Sequence, residues 1–119
     1  MEISAKLQLK PGQRLAAVTE TDAAPSITGD NIEPAGSPST ADAVIAFVRT
    51  QAALDTIAAP AIEAARADRL AWIAYPKARQ LDTDLSRDRL AAALASRGVQ
   101  PVRQVSIDDT WSALRFRPA

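Results

Sequence analysis

The residues best suited to chemistry gather where a short apolar run stops. Leu70–Tyr75 is uncharged and largely apolar, and Pro76 and Lys77 end it abruptly. If that run is a strand of a parallel sheet, Lys77 leaves it at the carboxyl edge, where open α/β sheets bind ligands. Arg49 leaves the equivalent end of a second apolar run, A-V-I-A-F-V at 43–48. Asp84 and Arg87 stand at the start of a helical stretch, whose first amides favour an anion. Lys77, Arg49, Tyr75, Arg87 and Asp84 around the loop 82–84 therefore form the predicted site. Its chemistry is the grip of cations on a small anionic ligand or a protein partner. The plainer reading has the cations solvated in loops, with Pro76 merely ending the strand.

Other candidate chemistries have structural explanations beside them. Asp82, Asp84, Asp88, Asp108 and Asp109 could hold a hard cation such as Mg²⁺, which wants oxygen ligands. Asp84 or Ser86 reads equally well as a helix cap, Asp88 as a first-turn acid, and Asp108-Asp109 as turn chemistry. Arg115 and Arg117, two apart on one strand face, either read phosphates or lie over the second helix with their heads in water. Trp72 belongs to the core, and Trp111 covers the sheet, so truncating Trp111 is expected to be the milder change. There is no Cys and no His, which excludes thiolate and imidazole mechanisms, disulfides and the usual zinc sites. No residue is assigned a catalytic role, and no cofactor or metal is expected.

The elements that must position these residues follow from periodicity and turn signals. Ile3, Leu7 and Leu9 are available for packing in a lead-in segment, and Pro11-Gly12 predicts a type II turn. Leu15–Val18 is a first strand. The loop after it, Thr19-Glu20-Thr21-Asp22, has two carboxylates and no glycine, which counts against a nucleotide or adenosylmethionine there. Residues 19–40 read as a long loop or mobile segment holding a small strand near Asn31–Glu33 or one helical turn. After the 43–48 strand, Thr50 is a candidate cap. Leu54, Ile57, Ala58, Ala61, Ile62 and Ala65 then share one helical face. Pro60 lies inside that stripe, so the helix is kinked or split, with Pro60 opening the second piece. The central strand follows, then a helix with Leu90, Ala91 and Leu94 inward and Gly98 as its left-handed end. Pro101–Ile107 and Trp111–Arg117 form a hairpin about Asp108-Asp109-Thr110. Leu114 and Phe116 fall on one face of its last strand, and Ala113, Arg115 and Arg117 on the other. The expected fold is one α/β domain over 1–119. It is a three-layer, Rossmann-like sandwich with a mostly parallel sheet, closed by a C-terminal antiparallel hairpin.

Charge and hydropathy narrow the partners. The chain has 119 residues and a formal net charge of zero. Residues 1–65 hold four Lys/Arg against eight Asp/Glu, and residues 66–119 hold ten against six. The basic half suggests only weak, unspecific attraction to nucleic acid. Aromatic residues make up 4%, too few for a row of stacking platforms. The opening ten residues carry charges rather than a continuous apolar stretch, and no run approaches the ~20 residues of a membrane helix. A cytoplasmic protein with no membrane partner is the expectation.

Two resemblances attach to these residues. K-P-G-Q-R at 10–14, A-V-I-A-F-V-R at 43–49, W-I-A-Y-P-K at 72–77, T-D-L-S-R-D at 83–88 and D-D-T-W-S-A-L-R-F-R at 108–117 resemble a family of short bacterial proteins described only as a domain of unknown function. That resemblance implies an α/β fold and no particular activity. Separately, the strand–helix–strand–helix–hairpin order resembles the C-terminal half of class I methyltransferases, whose hairpin closes the sheet. It departs from that pattern in lacking the glycine loop after the first strand. The resulting functional expectation is a non-catalytic α/β module binding a partner or a small anion at the carboxyl edge. The alternative is a methyltransferase-like remnant acting on a nucleotide-like substrate.

Overall fold

The computed structural model describes residues 3–19, 33–34, 37–77, 81 and 83–119. It is a mixed α/β fold built on one mostly parallel sheet. The strands are β1 (Arg14–Thr19), β2 (Glu33–Pro34), β3 (Ala43–Phe47), β4 (Leu70–Pro76), β5 (Val99–Ser106) and β6 (Trp111–Pro118). They lie in the order β2-β1-β3-β4-β6-β5, with β2 contributing two residues at one edge. β1, β2 and β3 pair in parallel, as do β3 and β4, whereas β6 is antiparallel to both β4 and β5. β5 therefore runs with the parallel strands, and β6 alone is reversed. The expected hairpin is present, with its return strand lying inside its outgoing one.

β3 is buried at every position and β4 at all but its first. A strand covered on both faces needs no polar alternation, which is why these two were the clearest runs in the sequence. Pro11-Gly12 makes the predicted turn. Gly12 takes φ +88° and the Gln13 amide donates to the Lys10 carbonyl at 3.1 Å. The stretch after β3 splits at Pro60. A 3-10 turn (Gln51–Asp55) is followed by α2 (Ala59–Arg66), with Pro60 in its first turn, where the missing N–H costs nothing. Thr50 occupies the cap position of the 3-10 turn without a side-chain cap bond. α3 (Arg87–Ala95) is capped by Ser86, whose hydroxyl accepts from the Arg89 amide at 3.2 Å. Gly98 turns the chain out of it at φ +82°.

The two faces of the sheet are covered differently. On one, α2 and α3 bury Ala58, Ala61, Ile62, Ala64, Ala65, Leu90 and Leu94 against Val44, Ile73, Leu114 and Phe116. On the other, a short segment carries the cover: α1 (Ile3–Lys6) and the residues after it bring Leu7 and Leu9 onto Ile45, Phe47, Trp72 and Trp111. The Trp72 indole donates to the Leu7 carbonyl at 2.9 Å, pinning that segment down. Trp111 is 1% exposed, the same as Trp72, and meets Phe47 edge-on at 5.3 Å. Trp111 is thus a core residue in its own right, covering the sheet as its type suggested. Within the stretch 19–40, a two-residue β2 and a 3-10 turn at Pro38–Thr40 are described. Residues 20–32 and 35–36 lie outside the described residues, as do Asn31 and the Glu20-Thr21-Asp22 part of the glycine-free loop. No helix among the described residues is long and apolar enough to cross a membrane.

Candidate functional site

β3 and β4 are parallel neighbours, registered from Ala43↔Leu70 to Phe47↔Ala74. Arg49 and Lys77 therefore leave the same edge of the sheet, as the sequence implied. Their side chains then take separate partners. Arg49 Nη1 donates to the Leu81 carbonyl at 3.4 Å, and the Arg49 carbonyl accepts from Thr83 Oγ1 at 2.7 Å. Asp84 Oδ1 accepts from the Gln51 amide at 2.9 Å. Asp84 is thus a cap, as its type suggested, but for the 3-10 turn after β3 and not for α3. Arg49, Thr83 and Asp84 together lash the loop after β4 to the end of β3. Asp82 lies outside the described residues.

Lys77 turns the other way, toward the hairpin. Its ammonium donates to Ser106 Oγ at 2.7 Å, and its amide donates to the Thr110 carbonyl at 2.7 Å. Register places Tyr75 opposite Ser112, and Ser112 opposite Ser106, so three hydroxyls line up across β4, β6 and β5. Gln104 Nε2 donates to the Tyr75 hydroxyl at 3.2 Å. Burial pushes the Tyr75 phenol above its usual range, opposed by the charge of Arg87 at the start of α3 and by a hydrogen bond with Ser112. Tyr75, Lys77 and Arg87 are therefore brought into one neighbourhood, while Arg49 and Asp84 serve the adjoining loop.

Gln104, Ser106 and Ser112 complete this patch, and none was singled out from the sequence. Ser112 carried the one usable signal. It shares the apolar face of Leu114 and Phe116, and is 7% exposed, the only buried polar residue among those described. A hydroxyl placed on a core-facing row must find a partner, and that partner marks where polar groups meet. Gln104 and Ser106 are exposed on an edge strand, where their types are ordinary. Chemically the patch offers an ammonium, hydroxyls and an amide beside a guanidinium. Those are hydrogen-bond donors suited to recognising a polar or anionic group.

Among the described residues, clefts also open along α2. One of about 320 Å³ is lined by Leu54, Asp55, Ala59, Ile62, Glu63, Arg66 and Arg97, and one of about 300 Å³ opens beside Pro38, Pro60 and Arg69. Their cations are spent on the fold: Arg97 pairs with Asp55 at 2.5 Å, Arg66 Nε donates to the Arg97 carbonyl at 2.7 Å, and Arg69 holds the carbonyls of Pro38 and Ala41. These groups tie α2 to its neighbours. Asp108 Oδ1 accepts from the Thr110 and Trp111 amides, the turn role expected of it. Arg117 pairs with Asp68 at 3.1 Å and Arg115 reaches Gln8 at 2.7 Å, so neither lies over the second helix. Among the described residues no three potential metal-ligating side chains come together. No protein-family model matches the chain, and no curated protein or solved structure shows significant similarity to it.

Proposed function

We propose that the protein is a small recognition module that binds an anionic ligand, free or displayed by a partner, where β4 and the hairpin end. The observation that carries this reading is the meeting of Lys77 with Tyr75, Ser112, Gln104 and Ser106 beside Arg87. Ser106 Oγ accepts from Lys77 and donates to the Asp108 carbonyl, which holds the ammonium in place with its remaining protons available to a ligand. A Rossmann-like, three-layer reading of the fold is consistent with this placement, since such sheets bind ligands at their carboxyl edge. A second reading, a methyltransferase-like remnant acting on a nucleotide-like substrate, draws on one further feature. The reversed strand β6 sits between β4 and β5. The carboxylates after β1 argue against a nucleotide or adenosylmethionine at that first loop.

Calorimetric titration with nucleotides, adenosylmethionine and short acidic peptides tests the proposal. One anionic class should bind, and Lys77→Ala should abolish that binding while leaving the unfolding transition nearly unchanged. Binding of adenosylmethionine in the micromolar range would favour the second reading. Silence of every anion, or a Lys77→Ala protein that binds as before, would overturn the module reading.

A further inference from the structure

The hairpin carries three arginines on the face turned away from α2 and α3. Arg103 and Arg115 are directly opposite each other in the β5–β6 register, just beyond the bulge between Pro101 and Arg103. Residues so paired in an antiparallel ladder project from the same face with Cβ atoms about 4.5–5.5 Å apart. Arg115 also lies opposite Trp72 of β4, which fixes that face as the one covered by Leu7 and Leu9. Two like charges set directly across a ladder repel.

Their partners do not resolve the repulsion. Arg103 is exposed and makes no hydrogen bond or ion pair among the described residues. Arg115 Nη1 donates to the neutral Gln8 Oε1 at 2.7 Å, while its Nε is buried with no acceptor. The carboxylate that feels the charge of Arg115, Asp68, is held on both oxygens by Arg117 at 3.1 and 3.3 Å. Gln8 itself sits at φ +62°, just beyond α1, where its amide donates to the Ala5 carbonyl. An orphaned, charged donor beside an unpaired cation is a deficit of negative charge and of acceptor oxygens in one place.

We propose that Arg103 and Arg115 form a phosphoryl-binding site on the sheet face opposite the helices. A dianionic phosphoryl group matches two guanidinium charges, and its oxygens fit the parallel donors of an arginine fork. In this arrangement Gln8 keeps one side of the Arg115 guanidinium in place, a small shift of Arg115 brings its buried Nε edge to the ligand, and Arg103 closes over the outer oxygens. The site is separate from the Lys77 patch, which lies on the other face of the sheet, and does not depend on it.

The test is an NMR titration of the arginine Nε–H signals with inorganic phosphate and, in parallel, with a nucleoside monophosphate. Saturable shifts of the Arg115 signal are expected with both, and tighter binding of the monoester would place the phosphoryl group on a larger ligand. Arg103→Ala and Arg115→Lys should each weaken binding at least about tenfold, the loss of one charge-assisted contact. Lys77→Ala should leave it unchanged, which separates this site from the proposed carboxyl-edge site. Arg103→Ala, an exposed substitution that spares the core, should also raise Tm by roughly 1–5 °C without phosphate, because it removes the like-charge pair. Absence of saturable shifts at millimolar phosphate, or affinity unmoved by Arg103→Ala, would overturn the proposal.

Discussion

The two faces of the sheet reach the same burial by opposite means. Beneath α2 the core is made of small residues: Ala58, Ala61, Ala64 and Ala65 are all within 1% of full burial. On the other face the volume comes from Phe47, Trp72 and Trp111, covered by a one-turn helix and the chain after it. Interiors fill to nearly constant density, so what one layer lacks in backbone it must supply in side chains. A helix lying close to a sheet brings its own cylinder of atoms and leaves room only for methyl groups. Where a thin segment crosses instead, two indoles and a phenyl ring take up the space. Both tryptophans and Phe47 lie on that face, while Tyr75 and Phe116 lie under the helices, so the largest side chains fall where helical cover is thin among the described residues.

That contrast can be broken by substitution, beginning with the largest expected effect. Trp72→Ala and Trp111→Ala should each cost about 3–5 kcal/mol in urea denaturation, against a total of roughly 5–15. Trp72→Ala should be the worse by about 1 kcal/mol, since it also strands the Leu7 carbonyl. A Trp111→Ala protein as stable as wild type would mean that this face is not filled by its aromatics. Leu7→Ala comes next, at about 2–5 kcal/mol. It should also red-shift tryptophan fluorescence as water reaches Trp72, and an unmoved spectrum would show that the N-terminal segment is not its cover. On the helix face the sensitive change is enlargement. Ala64→Leu should cost about 1–3 kcal/mol because the gap there holds only a methyl group. The same enlargement with no change in Tm would show that α2 can lift.

The smallest effect reports on the Lys77 patch. Tyr75 is the only tyrosine in the chain, so phenolate absorbance follows it alone. Burial raises its pKa in the folded state, so on alkaline titration the unfolded chain loses its proton first. Its contribution to stability is therefore complete below the ordinary tyrosine value of about 10 and is lost as pH rises beyond it. Ser112→Ala removes a hydrogen bond that favours the ionised phenol, and should move the titration higher still. A Tyr75 that ionises at or below the ordinary value would show that its hydroxyl is not held in this buried patch.

Particular residues show how far the sequence was legible. The stripe Leu54, Ile57, Ala58, Ala61, Ile62 and Ala65 packs on the core as its spacing demanded, with Ile57 only partly buried, because helical period is a local property. Pro60 fixed the break between the 3-10 turn and α2 for the same reason: its missing N–H acts on the turn that contains it. Asp84 shows the limit. Its type announced a cap, and it is one, yet the amide it caps belongs to Gln51, 33 residues earlier. Trp111 shows it again: its type placed it over the sheet, but that it is buried as fully as Trp72 follows from β6 lying between β4 and β5. Lys77 and Arg49 were placed on one edge by the parallel pairing of their strands, but the direction of each side chain depended on Ser106 and Leu81, which no local pattern links to them.

By itself the sequence determined the strands other than β2, the helices α2 and α3, the turns at Gly12 and Gly98, and the parallel pairing of β3 with β4. Each of these follows from the conformational preferences and apolar spacing of a few adjacent residues. Only the tertiary structure decided that β6 tucks inside β5, that α2 and α3 share one face, and that Arg103 confronts Arg115. Those outcomes depend on register and on which face each element buries. Both are settled by the packing of residues up to a hundred positions apart, as when Lys6 reaches the Ser106 carbonyl.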